Sequence, residues 1–182
     1  MNGSDFLRAL DEYDARTATE RRDVARVRAL DRAHAWNRSE PLHVTASALV
    51  THPATRRVLL RWHERMHSWL QVGGHGDPGE TDPFAIARRE AREETALTDL
   101  QAWPDPTQPV LLHVVVVPVP PRGAEPAHEH ADFRYLLATE TPDAIAPEHD
   151  AAPLRWCTVD EARALVTENN LRTTIARAEA LW

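Results

Sequence analysis

Lysine is absent from this 182-residue chain, so every permanently cationic side chain is an arginine. Genomic base composition suffices to explain that, and no function follows from it. Cysteine occurs once, at Cys157, which excludes an intrachain disulfide and removes support for an oxidising compartment. No apolar run approaches the length of a membrane-spanning helix, and no secretory apolar core lies between Met1 and Arg28. A cytoplasmic protein with no membrane partner is therefore expected. Low-complexity tracts and internal repeats are also lacking. The net charge of -7 repels polyanions, so no nucleic-acid polymer is expected as a partner.

What is present has the balance of one soluble globular domain, with 42% hydrophobic and 27% charged residues. Val24, Val27, Leu30 and Ala33 fall at helical spacing behind a cap at Thr19. They predict an amphipathic helix in an N-terminal segment, residues 1–38, packed on a domain spanning 39–182. A dimer contact or a substrate lid are the alternatives for that helix, so a homodimer stays open.

Apolar and β-branched runs predict strands over Leu42–Val50, Val58–Trp62 and Trp69–Val72. Val110–Val119 is nearly all apolar and reads as a core strand covered on both faces. Phe133, Tyr135 and Leu137 predict a further strand, as does Leu154–Cys157. Helical patterns follow over Val159–Val166 and Asn170–Leu181. Strands with few intervening helices point to an α/β sandwich around a mixed sheet.

The most informative stretch is GGHGDPGETDPFAIARREAREETAL, from Gly73 to Leu97. A paired-glycine bend permits close approach of backbone to a ligand, and Asp82 can cap a helix that has Pro83 in its first turn. Glu90, Glu93 and Glu94 then lie at i, i+3 and i+4, so one helical face carries three carboxylates. Such a cluster repels itself unless a cation neutralises it. Its all-oxygen donors favour Mg2+, with Mn2+ as a substitute, over zinc. Arg89 can orient an acid through a charge-assisted bond. A solvated, ion-paired helix face is the usual meaning of such runs. Matching the glycines, Gly79, Glu80, Arg89 and the three acids together by accident has odds below about one in a million per start position.

This segment resembles the Nudix box. Gly74 is followed by five residues and Glu80, and Arg89 through Leu97 match the second half of the box. Two departures stand out. Eight residues rather than seven separate Glu80 from Arg89, an insertion the Thr81–Pro83 loop can absorb. Ala96 replaces the usual glycine, and a left-handed alanine would cost about 1 kcal/mol, so a differently closed helix end is expected.

The resemblance implies a Nudix-type α/β/α sandwich with a mixed central β-sheet. It also implies metal-dependent hydrolysis of a diphosphate linkage in a small nucleotide-like substrate. The Gly73 carbonyl, Glu90, Glu93 and Glu94 would bind the metal, while Glu80 and Arg89 brace the loop and orient the acids. The general base would be a box acid or a late-loop acid such as Glu148.

Outside the box, His128, His130 and Asp132 alternate along a strand, where two imidazoles and a carboxylate could meet a metal or phosphate. His75 and His130 are expected to face substrate. Trp62, Trp69 and Trp156 are expected in the core, and Cys157 reads as a small buried hydrophobe. Two other readings are a non-catalytic nucleotide sensor on the same fold and an isoprenyl diphosphate isomerase-like enzyme. The latter needs a cysteine and a glutamate as paired proton donors.

Overall fold

The computed structural model describes residues 6–182. Helices α1 (Phe6–Asp11) and α2 (Ala18–Arg28) precede strands β1 (Leu42–His52), β2 (Arg57–His63), β3 (Ser68–Leu70) and β4 (Val72–Gly74). Helix α3 (Pro83–Thr95) is followed by β5 (Gln101–Ala102), β6 (Leu111–Val119), β7 (His128–Ala138) and β8 (Leu154–Thr158), then α4 (Val159–Leu165) and α5 (Asn169–Glu179). The strands form one eight-stranded mixed sheet. Its axis is the parallel pair β1–β7, with Leu42 opposite Glu129 and Thr51 opposite Ala138. The other flank of β1 carries β2 at its far end and β4 at its near end, both antiparallel.

Alternation along the strands sends side chains to two cores. Val44, Ala46 and Ala48 of β1 meet Phe133 and Tyr135 of β7 beneath Ile86, Ala87 and Ala91 of α3, together with Phe6, Leu10 and Val27. On the opposite face, Leu49, Leu60, Leu112 and Leu136 pack under Ala162 of α4 and Leu171, Ile175 and Ala178 of α5. Full burial of a side chain such as Ile86 is worth about 2–3 kcal/mol, so its place on α3 fixes which helical face turns inward. The outcome is the expected α/β/α sandwich.

Several local expectations are corrected. The α2 cap is Thr17, not Thr19: Thr17 Oγ1 accepts from the Glu20 N–H at 3.2 Å, and the Glu20 carboxylate reaches back to Thr17 and the Arg16 N–H. This T-x-x-E box satisfies the exposed N–H groups of the first turn two residues earlier than the apolar pattern suggests. The helix ends at Arg28, leaving Leu30 and Ala33 outside it. Among the described residues β7 is the one strand that pairs with β6, so this covered strand lies at the border of the sheet. Its apolar run is explained by α2 and α5 covering it, and Pro118 lacks the N–H that a central strand would need. The tryptophans stand at the margin of the core: Trp62 and Trp69 meet edge-on across β2–β3 at 5.7 Å, and Trp156 Nε1 donates to the Pro142 carbonyl.

Candidate active site

Strand β4 ends where the main chain must run without side chains. Gly73 has φ 148°, and a Cβ there would lie 2.3 Å from Ser47 Cβ. At Gly74 a Cβ would come within 2.7 Å of the Glu90 carboxylate. The paired glycines thus let β1, β4 and α3 close on one another, with Glu90 against the main chain.

Asp82 starts α3 by accepting from the N–H groups of Phe84 and Ala85, with Pro83 at the first helical position. The extra residue between Glu80 and Arg89 lies ahead of the helix and leaves their contact intact. Arg89 Nη2 donates to Glu80 at 2.9 Å and to the His75 carbonyl at 2.9 Å, while Nη1 faces Glu93 at 2.8 Å and Glu90 at 3.0 Å. Burial would lower the Arg89 pKa, but the bond to Glu80 and the fields of Glu90 and Glu93 raise it above the ordinary value. That same arginine holds the Glu80 carboxyl down. Arg89 therefore remains a cation that ties the loop, β4 and the acids of α3 together.

The helix ends on Ala96, which does adopt the left-handed conformation at φ 61° and donates to the Arg92 carbonyl. This corrects the expectation of a different closure. Leu97 follows at once and is fully buried, which offsets the backbone strain.

The three acids share a helix face but diverge in their contacts. Glu93 is exposed and engages Arg89. Glu94 turns inward, where an oxygen accepts from the Gly73 N–H at 2.9 Å and the carboxylate pairs with Arg61 at 3.3 Å. Burial pushes the Glu94 carboxyl up to about 7 despite Arg61 and the Gly73 N–H, and burial also raises Glu90. Carboxylates destabilised as anions in this way gain most from a nearby hard cation, so Glu90 and Glu94 fit a divalent metal by charge, and Glu93 and the Gly73 carbonyl add oxygen donors of the same type.

Glu148, 74 residues beyond Gly74 in the chain, reaches the same place. Its exposed carboxylate lies 3.5 Å from Arg61 Nη2, so Arg61 bridges Glu94 and Glu148. Arg61 has no role in the sequence reading; only the β2–β3–β4 turn brings it beside α3, and no local motif marks it.

On the opposite side of Gly73–Gly74 a cleft of about 260 Å³ opens over the sheet, lined by Ser47, Gln71, His75, His130 and Arg134 among others. His75 and His130 sit together here, with ring centroids 4.8 Å apart and perpendicular planes. Desolvation keeps both imidazoles neutral, with pKa values of about 3 and about 4. Asp132 does not join them. Its buried carboxylate accepts from Ser47 Oγ at 2.8 Å, Thr45 Oγ1 at 3.2 Å and Arg134 Nε at 2.8 Å, so its acceptor positions are filled on the cleft floor. In its place His43 of β1 meets His128 and His130, a grouping that becomes visible only through the β1–β7 register. Cys157 is buried under α4 and α5, in the core layer away from the acids.

The NUDIX domain model matches residues 41–178. The chain is similar in structure to the C. elegans Ap4A hydrolase in a binary complex, with a TM-score of 0.54 and 20% identity over 75% of this chain and 95% of that one. It is also similar to the E. coli dihydroneopterin triphosphate pyrophosphohydrolase, with a TM-score of 0.56 and 22% identity over 74% and 92%. A NUDIX-family hydrolase from Clostridium perfringens aligns with a TM-score of 0.58 and 23% identity over 77% and 98%. At these identities the likeness is one of fold. No curated protein matches the sequence significantly.

Proposed function

The chain belongs to the Nudix hydrolase family, whose members hydrolyse pyrophosphate linkages and generally use divalent metal ions, and from that premise we propose its substrate class and the role of each site residue. The substrate is a small nucleotide-like molecule in which a diphosphate joins a nucleoside to a second group, and the ion is Mg2+. The single observation that carries this reading is the acid face of α3, with Glu90 and Glu94 closed against Gly73–Gly74 and the acids braced by Arg89. When bound, the cation neutralises phosphate oxygens and stabilises the charge that builds up as the linkage breaks.

Glu90, Glu93, Glu94 and the Gly73 carbonyl hold the ion. Arg89 and Glu80 fix the acids and loop as one unit, which limits the reorganisation that substrate binding requires. Glu148 accepts the proton of the attacking water; its solvent exposure and its tether to Arg61 support that role, since a base must reach both water and the acid cluster. His75 and His130 face the bound substrate from the cleft, where neutral imidazoles can donate to phosphate or a base edge.

Cys157 cannot serve as a proton donor beside these acids, because it lies within a core layer and its thiol is pushed up by burial. Neither alternative reading gains support. A sensor that has abandoned catalysis has no need of the complete acid set or its brace.

The test is a panel of nucleoside triphosphates, ADP-ribose, dinucleoside polyphosphates and sugar nucleotides with Mg2+, run in labelled water to locate the attacked phosphorus. Glu93→Gln and Glu94→Gln should each lower turnover by at least about a hundredfold. Full turnover in both variants would refute the assignment.

A further inference from the structure

The far end of the cleft carries a grouping that the acid helix does not use. We propose that His43, His128 and His130 form a second metal site, selective for a borderline first-row transition ion such as Zn2+ and separate from the carboxylates of α3. One ligand atom from each of the three imidazoles lies within 4.8 Å of the others. The parallel register sets His43 directly beside His130, and period-two alternation puts His128 on the same face of β7.

Hydrogen bonds fix the tautomers of two of the rings. His43 Nδ1 lies 2.9 Å from the Glu40 carbonyl and His128 Nδ1 lies 3.0 Å from the Pro126 carbonyl. A carbonyl can only accept, so each of these rings carries its proton on Nδ1 and its lone pair on Nε2, which accepts from His75 Nε2 at 3.1 Å in His43 and from His130 Nε2 in His128, bonds that an ion would replace. This is how metal-binding histidines are commonly oriented from behind. Nε2 of His128 and Nε2 of His130 are 3.2 Å apart. Two nitrogens on a tetrahedral zinc, at bonds of about 2.0–2.1 Å, stand roughly 3.3 Å apart, so this pair needs little movement. His43 would have to exchange its 3.1 Å contact with His75 Nε2 for the ion.

Glu125 Oε1, 3.6 Å from His128 Nε2, can supply the anionic fourth ligand. Imidazole donors suit zinc, nickel, cobalt and copper, whereas magnesium prefers oxygen. The two sites therefore sort ions by donor type, and zinc can occupy the histidines while magnesium occupies the acids.

Co2+ is the probe, added to the full chain in excess Mg2+. Visible bands of four-coordinate cobalt should saturate at one equivalent. His128→Ala should weaken cobalt binding by at least about a hundredfold, while Glu93→Gln leaves it unchanged. X-ray absorption on the unmodified zinc-loaded chain should count three imidazole ligands, a readout that needs no variant to fold. Absence of saturating bands, cobalt affinity unaffected by His128→Ala, or an all-oxygen zinc shell would each overturn the site. None of these outcomes bears on the hydrolase reading, which fails only with Glu93→Gln and Glu94→Gln.

Discussion

Glu20 links the first helices to the last one, and its removal gives the sharpest quantitative test of how this molecule is held together. The side chain is buried. One oxygen takes Arg177 Nη2 at 2.6 Å, and the other takes the Tyr13 hydroxyl at 2.9 Å and the Arg16 N–H at 3.0 Å. Arg177 of α5 in turn donates to the Tyr13 hydroxyl and to the Leu112 carbonyl of β6. The N-terminal segment is thus fastened to α5 around the edge strand. Burial pushes the Glu20 carboxyl up, but the bonds from Arg177, Arg16 and Tyr13 prevail and hold it at about 2, against an ordinary 4.5.

A depressed carboxylate pKa stabilises the fold fully above the unfolded value and loses that contribution as pH falls toward the folded one. The linkage is worth about 3 kcal/mol, lost between pH 4.5 and 2. Glu20→Gln should therefore unfold about 3 kcal/mol more easily in urea at pH 7, where Arg177 is left buried without its counter-charge. The gap to the unaltered protein should narrow steadily as pH is lowered through that window. Taking the difference between the two proteins cancels the titration of every other carboxylate. A gap below about 1 kcal/mol at pH 7, or one that does not change with pH, would refute the argument. We propose on these contacts that the described part of the N-terminal segment, residues 6–38, folds as part of the same unit as 39–182, and a single unfolding transition in both proteins is the corresponding expectation.

Two substitutions test the backbone of the candidate active site. Ala96→Gly relieves a left-handed alanine and should add about 1 kcal/mol, raising the melting temperature by roughly 2–4 °C in calorimetry; an unchanged or lower value would mean the helix end is not strained. Gly74→Ala drives a methyl to 2.7 Å from the Glu90 carboxylate and should cut turnover by about a hundredfold while circular dichroism stays native. Undiminished turnover would show that Glu90 need not stand against the main chain.

The start of α3 and the spacing of its acids were legible in the sequence, whereas the Thr17 cap of α2 and the left-handed close at Ala96 were not. The Asp82 cap, the Pro83 start and the spacing of Glu90, Glu93 and Glu94 depend only on helical geometry, and α3 carries them as read. Features decided by tertiary pairing were not legible. His43 and His130 are 87 positions apart and meet only because β1 and β7 run parallel in one register. Arg61 reaches Glu94 and Glu148 from a strand whose local pattern reads simply as apolar. Helix α1 is too short for a periodic signal, and Phe6 is held by edge-on contacts with Trp36 and Phe133 far along the chain. The apolar run of β6 signals its cover by α2 and α5, but hydrophobicity does not report how many strands it pairs with, so its place at the border of the sheet was not legible.

Arg89 touches both the acid face and the strand end that leads to the imidazole cluster. Its guanidinium grips Glu80 and faces Glu90 and Glu93 on the acid side, yet the same Nη2 that binds Glu80 also holds the carbonyl of His75. His75 in turn lies against His43, with Nε2 atoms 3.1 Å apart. A lysine ammonium presents its donors at one point and could satisfy only part of this set, whereas the planar fork spans loop, strand and helix at once. The position of the first imidazole beside the cleft is therefore tied to the same cation that orders the carboxylates. Arg89 is thus the side chain that contacts the acids of α3, Glu80 of the loop and the main chain at His75 together.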